Sequence, residues 1–216
     1  MSRIEMALPP IPAGRPNLLL TGFMASGKTT VGLLVSELLQ MPFFDLDSEL
    51  EVRLGESVPE LLRTRGEGWF RAREAELMAE ASRLSGSVIA TGGGAVLSPD
   101  TFAALAATAV SLVLRAEQNE LARRKAAGGD RPLLDHLGDD GMRRLLAERE
   151  PAYARAGDSV ETTGRTPAEV ARHVAEIYQR RVGGRPRQFP FRASIGARSW
   201  WWAGEPSPVS GQSWGG

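Results

Sequence analysis

Cysteine is absent from this chain of 216 residues, which excludes disulfides, thiolate metal sites and a cysteine nucleophile. Histidine is almost absent: His136 and His173 are the two, too few for a histidine-rich zinc site. Charge of either sign is not in excess, since 26 basic residues balance 26 acidic ones. A net charge of zero provides no global field to attract nucleic acid or an anionic membrane. Long hydrophobic runs are missing too, with no window of eighteen apolar residues and no apolar core to the N-terminal "MSRIEMALPPIPAGRP". These absences predict a cytoplasmic enzyme or binding domain, with neither nucleic acid nor membrane as partner. A monomer is the plain expectation for one domain of this size.

What the chain does contain falls into three zones. Residues 1–16, rich in proline, read as a flexible leader. Residues 183–216 are rich in glycine, proline, serine and arginine and hold Trp200, Trp201, Trp202 and Trp214 without periodicity, so they read as a disordered tail. Between them, short apolar runs alternate with amphipathic ones. Strands are predicted at 17–23, 42–47, 87–93, 109–116 and 159–163, and helices at 30–40, 73–84 and 167–181 among others. Strands alternating with helices, and apolar runs that are nearly continuous, predict an α/β fold with a parallel sheet covered on both faces. Thr166, Pro167 and Glu169 spell a capping box at the start of the last helix.

The segment "GFMASGKTT" (22–30) fits G-x-x-x-x-G-K-[ST] through Gly22, Gly27, Lys28 and Thr29. An apolar strand runs into its first glycine and a helix begins after its second. Glycines let backbone N–H groups wrap a phosphate, and the helix aims its positive end at the same anion. Lys28 then reaches the outer phosphates and the Thr29 hydroxyl is placed for Mg²⁺. A phosphate loop names a donor such as ATP and leaves the acceptor open.

Four further clusters bear on the acceptor. In "FFDLD", Asp45 and Asp47 lie two apart, so on a strand both face the site, one for the metal's water shell and one for a substrate hydroxyl. The alternative is that Asp47 or Ser48 caps the next helix. In "GEGWFRAREAE", Arg71 follows the Trp69-Phe70 pair and stands three residues before Glu74. An arginine fork oriented by a glutamate suits a substrate carboxylate, although a solvated helix face has the same composition. The run Gly92-Gly93-Gly94 closes a strand, as required either by close approach of a ligand to backbone N–H groups or by a sharp turn. Finally "LARRKAAGGDRPLL" places Arg131 on a glycine-containing loop, either an ordinary surface loop or one that closes over a nucleotide.

Taken in order, "GFMASGKTT", "DLD", "GEGWFR" with its "RE", "GGGA", "RPLL" and "EREPAY" resemble the shikimate kinase family over roughly residues 17–181. The resemblance implies a three-layer α/β/α, nucleoside-monophosphate-kinase-like fold with a five-stranded parallel sheet. It further implies transfer of the γ-phosphoryl group of MgATP to the 3-hydroxyl of shikimate. In that reading Met24, Ala25, Ser26, Gly27, Lys28, Thr29 and Thr30 bind the ATP phosphates, and Thr29 and Asp45 serve Mg²⁺. Lys28, Asp47 and Arg131 carry the catalysis. Arg71, Glu74, Arg149, Asp47 and Gly92 to Gly94 hold shikimate, and Arg124 and Arg165 lie beside adenine. Residues 17–182 form the kinase domain, with 48–84 as the substrate module and 126–136 as the lid. A gluconate or nucleotide kinase of the same fold, or an ATP-binding sensor, shares the phosphate loop and stays open at this point.

Overall fold

The computed structural model describes residues 14–127 and 138–183. The tail, most of the leader, and the lid segment with Arg131 fall outside the described residues. Five strands form one parallel sheet: β1 (Asn17–Gly22), β2 (Phe43–Asp45), β3 (Val88–Ala90), β4 (Ala109–Arg115) and β5 (Asp158–Glu161), in the spatial order β2-β3-β1-β4-β5. The helices are α1 (Lys28–Leu39), α2 (Leu46–Leu54), α3 (Val58–Arg65), α4 (Glu67–Ala81), α5 (Pro99–Ala106), α6 (Gln118–Ala127), α7 (Gly138–Ala156) and α8 (Pro167–Arg181).

Every residue of β1 is buried, because the strand lies at the centre of a sheet covered on both sides. Its side chains alternate between two cores. Leu18 and Leu20 join Leu112, Leu114, Val31, Val174 and Tyr178 under α1 and α8. Leu19 points the other way, into the cluster of Phe44, Leu50, Phe70, Met78, Phe102 and Tyr153. The three layers predicted from alternating strands and helices are therefore present. Asn17 closes the lower edge, where its Nδ2 donates to Leu84 O at 2.7 Å and its Oδ1 accepts from Ser87 N at 3.0 Å.

Local signals place the helices well and the strand ends less well. The capping box of α8 forms as read, with Glu169 N donating to Thr166 Oγ1 and Thr166 N donating to Glu169 Oε2. The strands prove shorter than predicted, since β2 and β3 span three residues each. The consequential correction lies at Asp45 and Asp47. The strand ends at Asp45, which is itself the cap of α2: its Oδ1 accepts from Asp47 N at 3.1 Å and Ser48 N at 3.3 Å. Asp47 sits in the first helical turn, so a strand's two-residue repeat does not orient it, and neither Asp47 nor Ser48 is the cap. Likewise the helix expected over 73–84 is α4 from Glu67 to Ala81, so Arg71 and Glu74 both lie within it.

The strand order puts the site at one place. β1 and β3 are neighbours whose onward connections run opposite ways, from β1 out to β2 and from β3 across to β4, and the crevice above such a switch point is where doubly wound sheets bind ligands. The phosphate loop leaves β1 and the glycine run leaves β3, so the two loops emerge side by side. Thr21 and Thr91, paired by their hydroxyls at 3.0 Å, tie them together from below. No helix among the described residues is long and apolar enough to cross a membrane.

Candidate active site

The phosphate loop is shaped before any ligand arrives. Ser26 N donates to Phe23 O at 3.2 Å, and Lys28 Nζ bends back to Gly22 O at 2.9 Å and Phe23 O at 3.0 Å. Helix α1 opens at Gly27 with no side chain capping it and no acidic residue in its first turn, whereas α2, α3, α4, α5, α6 and α8 each carry at least one there. Its first N–H groups thus face the loop with their positive end unopposed. The Ser26 hydroxyl is buried without a partner. This cradle fits a polyphosphate.

Ala25 holds a φ of 63°, a left-handed conformation that costs an L-residue about 1 kcal/mol or more. Part of that cost is recovered through the lower chain entropy of alanine relative to glycine. Ala25→Gly is expected to raise stability by about 0.5–1 kcal/mol, a gain of roughly 2 °C in Tm. Thermal unfolding of the two proteins checks this, and an unchanged or lower Tm would show that the loop carries no strain there.

Thr29 Oγ1 donates to Asp45 Oδ2 at 2.6 Å, joining the start of α1 to the end of β2. A hydroxyl and a carboxylate at the mouth of a phosphate loop form an oxygen-only donor set, which suits a hard divalent cation whose other ligands are phosphate oxygens and water. No group of three acidic or histidine ligands occurs among the described residues, so an all-protein cage is not what this site provides.

Across the crevice, side chains from three helices meet the glycine run. A Cβ placed on Gly92 would lie 2.6 Å from Asp47 Oδ1 and 2.6 Å from Glu74 Oε1. One on Gly94 would lie 2.3 Å from Arg71 Nη2. These positions are glycine because carboxylates and a guanidinium occupy the space a side chain would need. The chain does also turn here, with Ala95 N donating to Gly92 O at 3.2 Å, but none of the three glycines has a positive φ, so the backbone conformation of the turn does not by itself require them.

Arg71 Nη1 donates to Glu74 Oε2 at 2.7 Å, and its Nη2 meets Glu67 Oε1 at 3.2 Å. Glu74 is 1% exposed with Oε1 unpartnered, while Glu67 is 67% exposed. The first contact is consequently a buried, charge-assisted pair and the second a solvated one. The buried Phe70 ring lies 5.4 Å from the Arg71 guanidinium and helps to aim it, as its place in the sequence suggested.

Helix α7 closes the far wall. Arg149 Nη1 donates to Gly93 O at 3.0 Å, and Tyr153, one turn on, donates its hydroxyl to the same oxygen at 2.6 Å. Arg149 is buried and its Nε has no partner. Burial pushes the Tyr153 hydroxyl up to about 12, partly offset by Arg149 and Arg71 nearby. Sequence reasoning singled out Arg149 and missed Tyr153, although both stand in "EREPAY" at a helical spacing of four.

Asp47 is the perturbed acid of the site. Its carboxyl is raised to about 7, chiefly by burial and then by Asp45, Glu74 and Glu51, with Lys28 opposing them. A carboxylate poised near neutrality beside a phosphate loop is placed to accept a proton.

The outer end of the crevice is built from α6 and the loop after β5. Arg124 Nε donates to Glu120 Oε1 at 2.7 Å, and its Nη1 and Nη2 donate to Thr162 Oγ1 at 2.9 Å and Thr162 O at 2.8 Å. Its Nη1 also approaches Ser26 O at 3.4 Å, touching the phosphate loop. The Arg123 and Arg124 guanidiniums hold the Glu120 carboxyl down at about 2. Arg165 is exposed in the same loop, with its N–H on Thr162 O at 3.3 Å. Thr30 is exposed on α1.

Comparison with known proteins places this geometry. The family model described as shikimate kinase matches residues 24–179. The shikimate kinase of Caldanaerobacter subterraneus subsp. tengcongensis is 40% identical over 163 residues, which cover 75% of this chain and 95% of that protein. The shikimate kinase of Nitrosococcus oceani is 36% identical over 178 residues, covering 81% and 93%. Among solved structures, shikimate kinase from Acinetobacter baumannii in complex with shikimate is 30% identical, with a TM-score of 0.72 over 77% of this chain and 94% of that one.

Proposed function

The chain belongs to the shikimate kinase family, and from that premise we propose how its residues divide the work. The protein is an ATP-dependent kinase that phosphorylates shikimate, a reaction of aromatic amino acid biosynthesis. The observation that carries the division is the convergence of Asp47, Glu74, Arg71 and Arg149 on the glycine run beside the phosphate loop.

The loop from Met24 to Thr30 holds the ATP phosphates through its N–H groups and the open end of α1. Lys28 leaves the loop carbonyls for the γ-phosphate, trading two neutral acceptors for a charged one. Thr29 and Asp45 hold Mg²⁺. When bound there, the ion supplies positive charge to the phosphate oxygens.

Arg71 and Arg149 take the substrate carboxylate. Glu74 keeps Arg71 aimed from behind, while exposed Glu67 gives up Nη2 to the incoming carboxylate. Gly92 to Gly94 let the ring lie against the backbone. Asp47 accepts the proton of the 3-hydroxyl as its oxygen bonds to the γ-phosphorus and the bond from that phosphorus to the bridging oxygen breaks, releasing ADP. Arg124 and Arg165 flank the adenine end. Arg131, outside the described residues, serves as the cation over the phosphates. The enzyme works as a cytoplasmic monomer on a small molecule, and zero net charge gives nucleic acid or anionic lipid no field to follow.

Arg71→Ala tests the carboxylate assignment. The KM for shikimate is expected to rise roughly 10- to 100-fold, the size of a lost charge-assisted pair, with the KM for ATP unchanged. A shikimate kcat/KM equal to that of the parent enzyme would remove Arg71 from the site.

A further inference from the structure

Arg149 Nη1 is anchored on Gly93 O at 3.0 Å, which leaves the unpartnered Nε edge of the guanidinium for a substrate carboxylate. The fold gives that carbonyl a second donor: the Tyr153 hydroxyl, on the same face of α7, reaches Gly93 O at 2.6 Å. We infer that Tyr153 is a positioning residue for shikimate recognition, fixing Gly93 O as the anchor of Arg149 Nη1 so that the guanidinium presents its Nε edge to the substrate carboxylate. The role rests on the assignment of Arg149 to the carboxylate and deepens it.

Four observations support the inference. Tyr153 is 2% exposed, so its hydroxyl has no water to fall back on. Its proton is retained to well above neutral pH, and the group stays a donor wherever the enzyme works. Arg149 Nε is buried and unpartnered, so this guanidinium has hydrogen-bonding capacity left for a ligand. Arg71 as well as Arg149 acts electrostatically on the Tyr153 hydroxyl, so the tyrosine is within the influence of both cations assigned to the carboxylate. Gly93 itself lies against Met24 of the phosphate loop, where a Cβ would come within 3.1 Å of Met24 Cγ. A carbonyl fixed by Tyr153 therefore also keeps the acceptor wall in register with the donor loop.

The test is steady-state kinetics of the full chain with shikimate and with its methyl ester, which lacks the charge that Arg149 is positioned to meet. In Tyr153→Phe the KM for shikimate is expected to rise about five- to tenfold, one buried hydrogen bond's worth, with kcat within about twofold and the KM for ATP unchanged. The preference for shikimate over the ester should narrow by the same factor. An unchanged shikimate KM, or a loss shared equally by shikimate, ester and ATP, would overturn the role. Replacing Tyr153 by 4-aminophenylalanine returns a donor to the site and should restore the KM; failure to restore it would count against the inference, and this variant also serves if Tyr153→Phe folds poorly. Arg149→Ala separates the two layers of the argument. If its preference for shikimate over the ester is intact, the carboxylate assignment fails and the tyrosine's role with it. If that preference collapses in Arg149→Ala but stands in Tyr153→Phe, the assignment survives and the inference about Tyr153 fails.

Discussion

Asp47→Asn is expected to lower kcat by about two to four orders of magnitude, the usual worth of a proton acceptor, while making the ligand-free protein more stable at pH 8. The two effects share one cause. Burial and the neighbouring carboxylates raise the Asp47 carboxyl to about 7, far above its value in an unfolded chain, so folding favours the protonated form. The contribution of this group to stability is fully present below about pH 4, is lost as pH rises through about 7, and stays lost above that. Asparagine is uncharged throughout and escapes the penalty, for a gain of roughly 1–3 kcal/mol at pH 8 and little at pH 4. Denaturant unfolding at the two pH values reads the difference. The kinetic counterpart is the acid limb of kcat/KM: it should fall about tenfold per unit below pH 7 in the parent enzyme and vanish in the variant. A variant that keeps its activity, or gains no stability at pH 8, would show that Asp47 is neither the acceptor nor a strained group.

Lys28→Ala is expected to lower kcat by roughly two to three orders of magnitude, the scale seen when one fixed donor to a developing charge is removed. In the ligand-free protein Lys28 does a modest structural task, donating to Gly22 O and Phe23 O at the partly exposed edge of the loop. Its removal should therefore leave the unfolding midpoint within a degree or two, because those carbonyls can turn to water. Shikimate binding, measured by calorimetry without nucleotide, should stay unchanged. A large loss of stability, or a parallel loss of shikimate affinity, would mean that the lysine shapes the site rather than acting on the transferred group.

How much of this was legible beforehand varies with how local the physics is. The phosphate loop, its strand and its helix were readable because glycine, lysine and threonine follow one another within nine residues and the apolar run ends where the glycine begins. The capping box at Thr166 and Glu169 was readable for the same reason. The pairing of Arg71 with Glu74 lies within one helical turn and was readable as a spacing of three. Asp47 was misplaced on the strand because β2 is three residues long and ends at Asp45, too short for alternation to show where it stops and the helix begins. The contact of Tyr153 with Gly93 spans 60 residues and that of Arg124 with Thr162 spans 38, so both depend on the strand order rather than on any local pattern. The resemblance supplied roles for Arg124 and Arg149 that spacing did not, yet it was silent on the tyrosine one turn beyond.

The strand order also explains why a donor loop and an acceptor wall that are distant in sequence can be held at fixed separation. The donor loop leaves β1 and the acceptor wall leaves β3, two hydrogen-bonded neighbours with matched registers from Leu18 and Val88 to Leu20 and Ala90. Such positioning on adjacent strands is the main means by which a phosphoryl transferase accelerates its reaction, since the protein has little covalent work to do.

The central claim is that one crevice presents a phosphate donor to an acceptor chosen by its carboxylate and hydroxyls. It is tested most directly by coupled ADP release from MgATP by the full chain, with shikimate, gluconate, AMP or no acceptor. The account predicts turnover with shikimate and background rates with the other three. Turnover that prefers gluconate or AMP, or nucleotide binding without turnover on any acceptor, would contradict it.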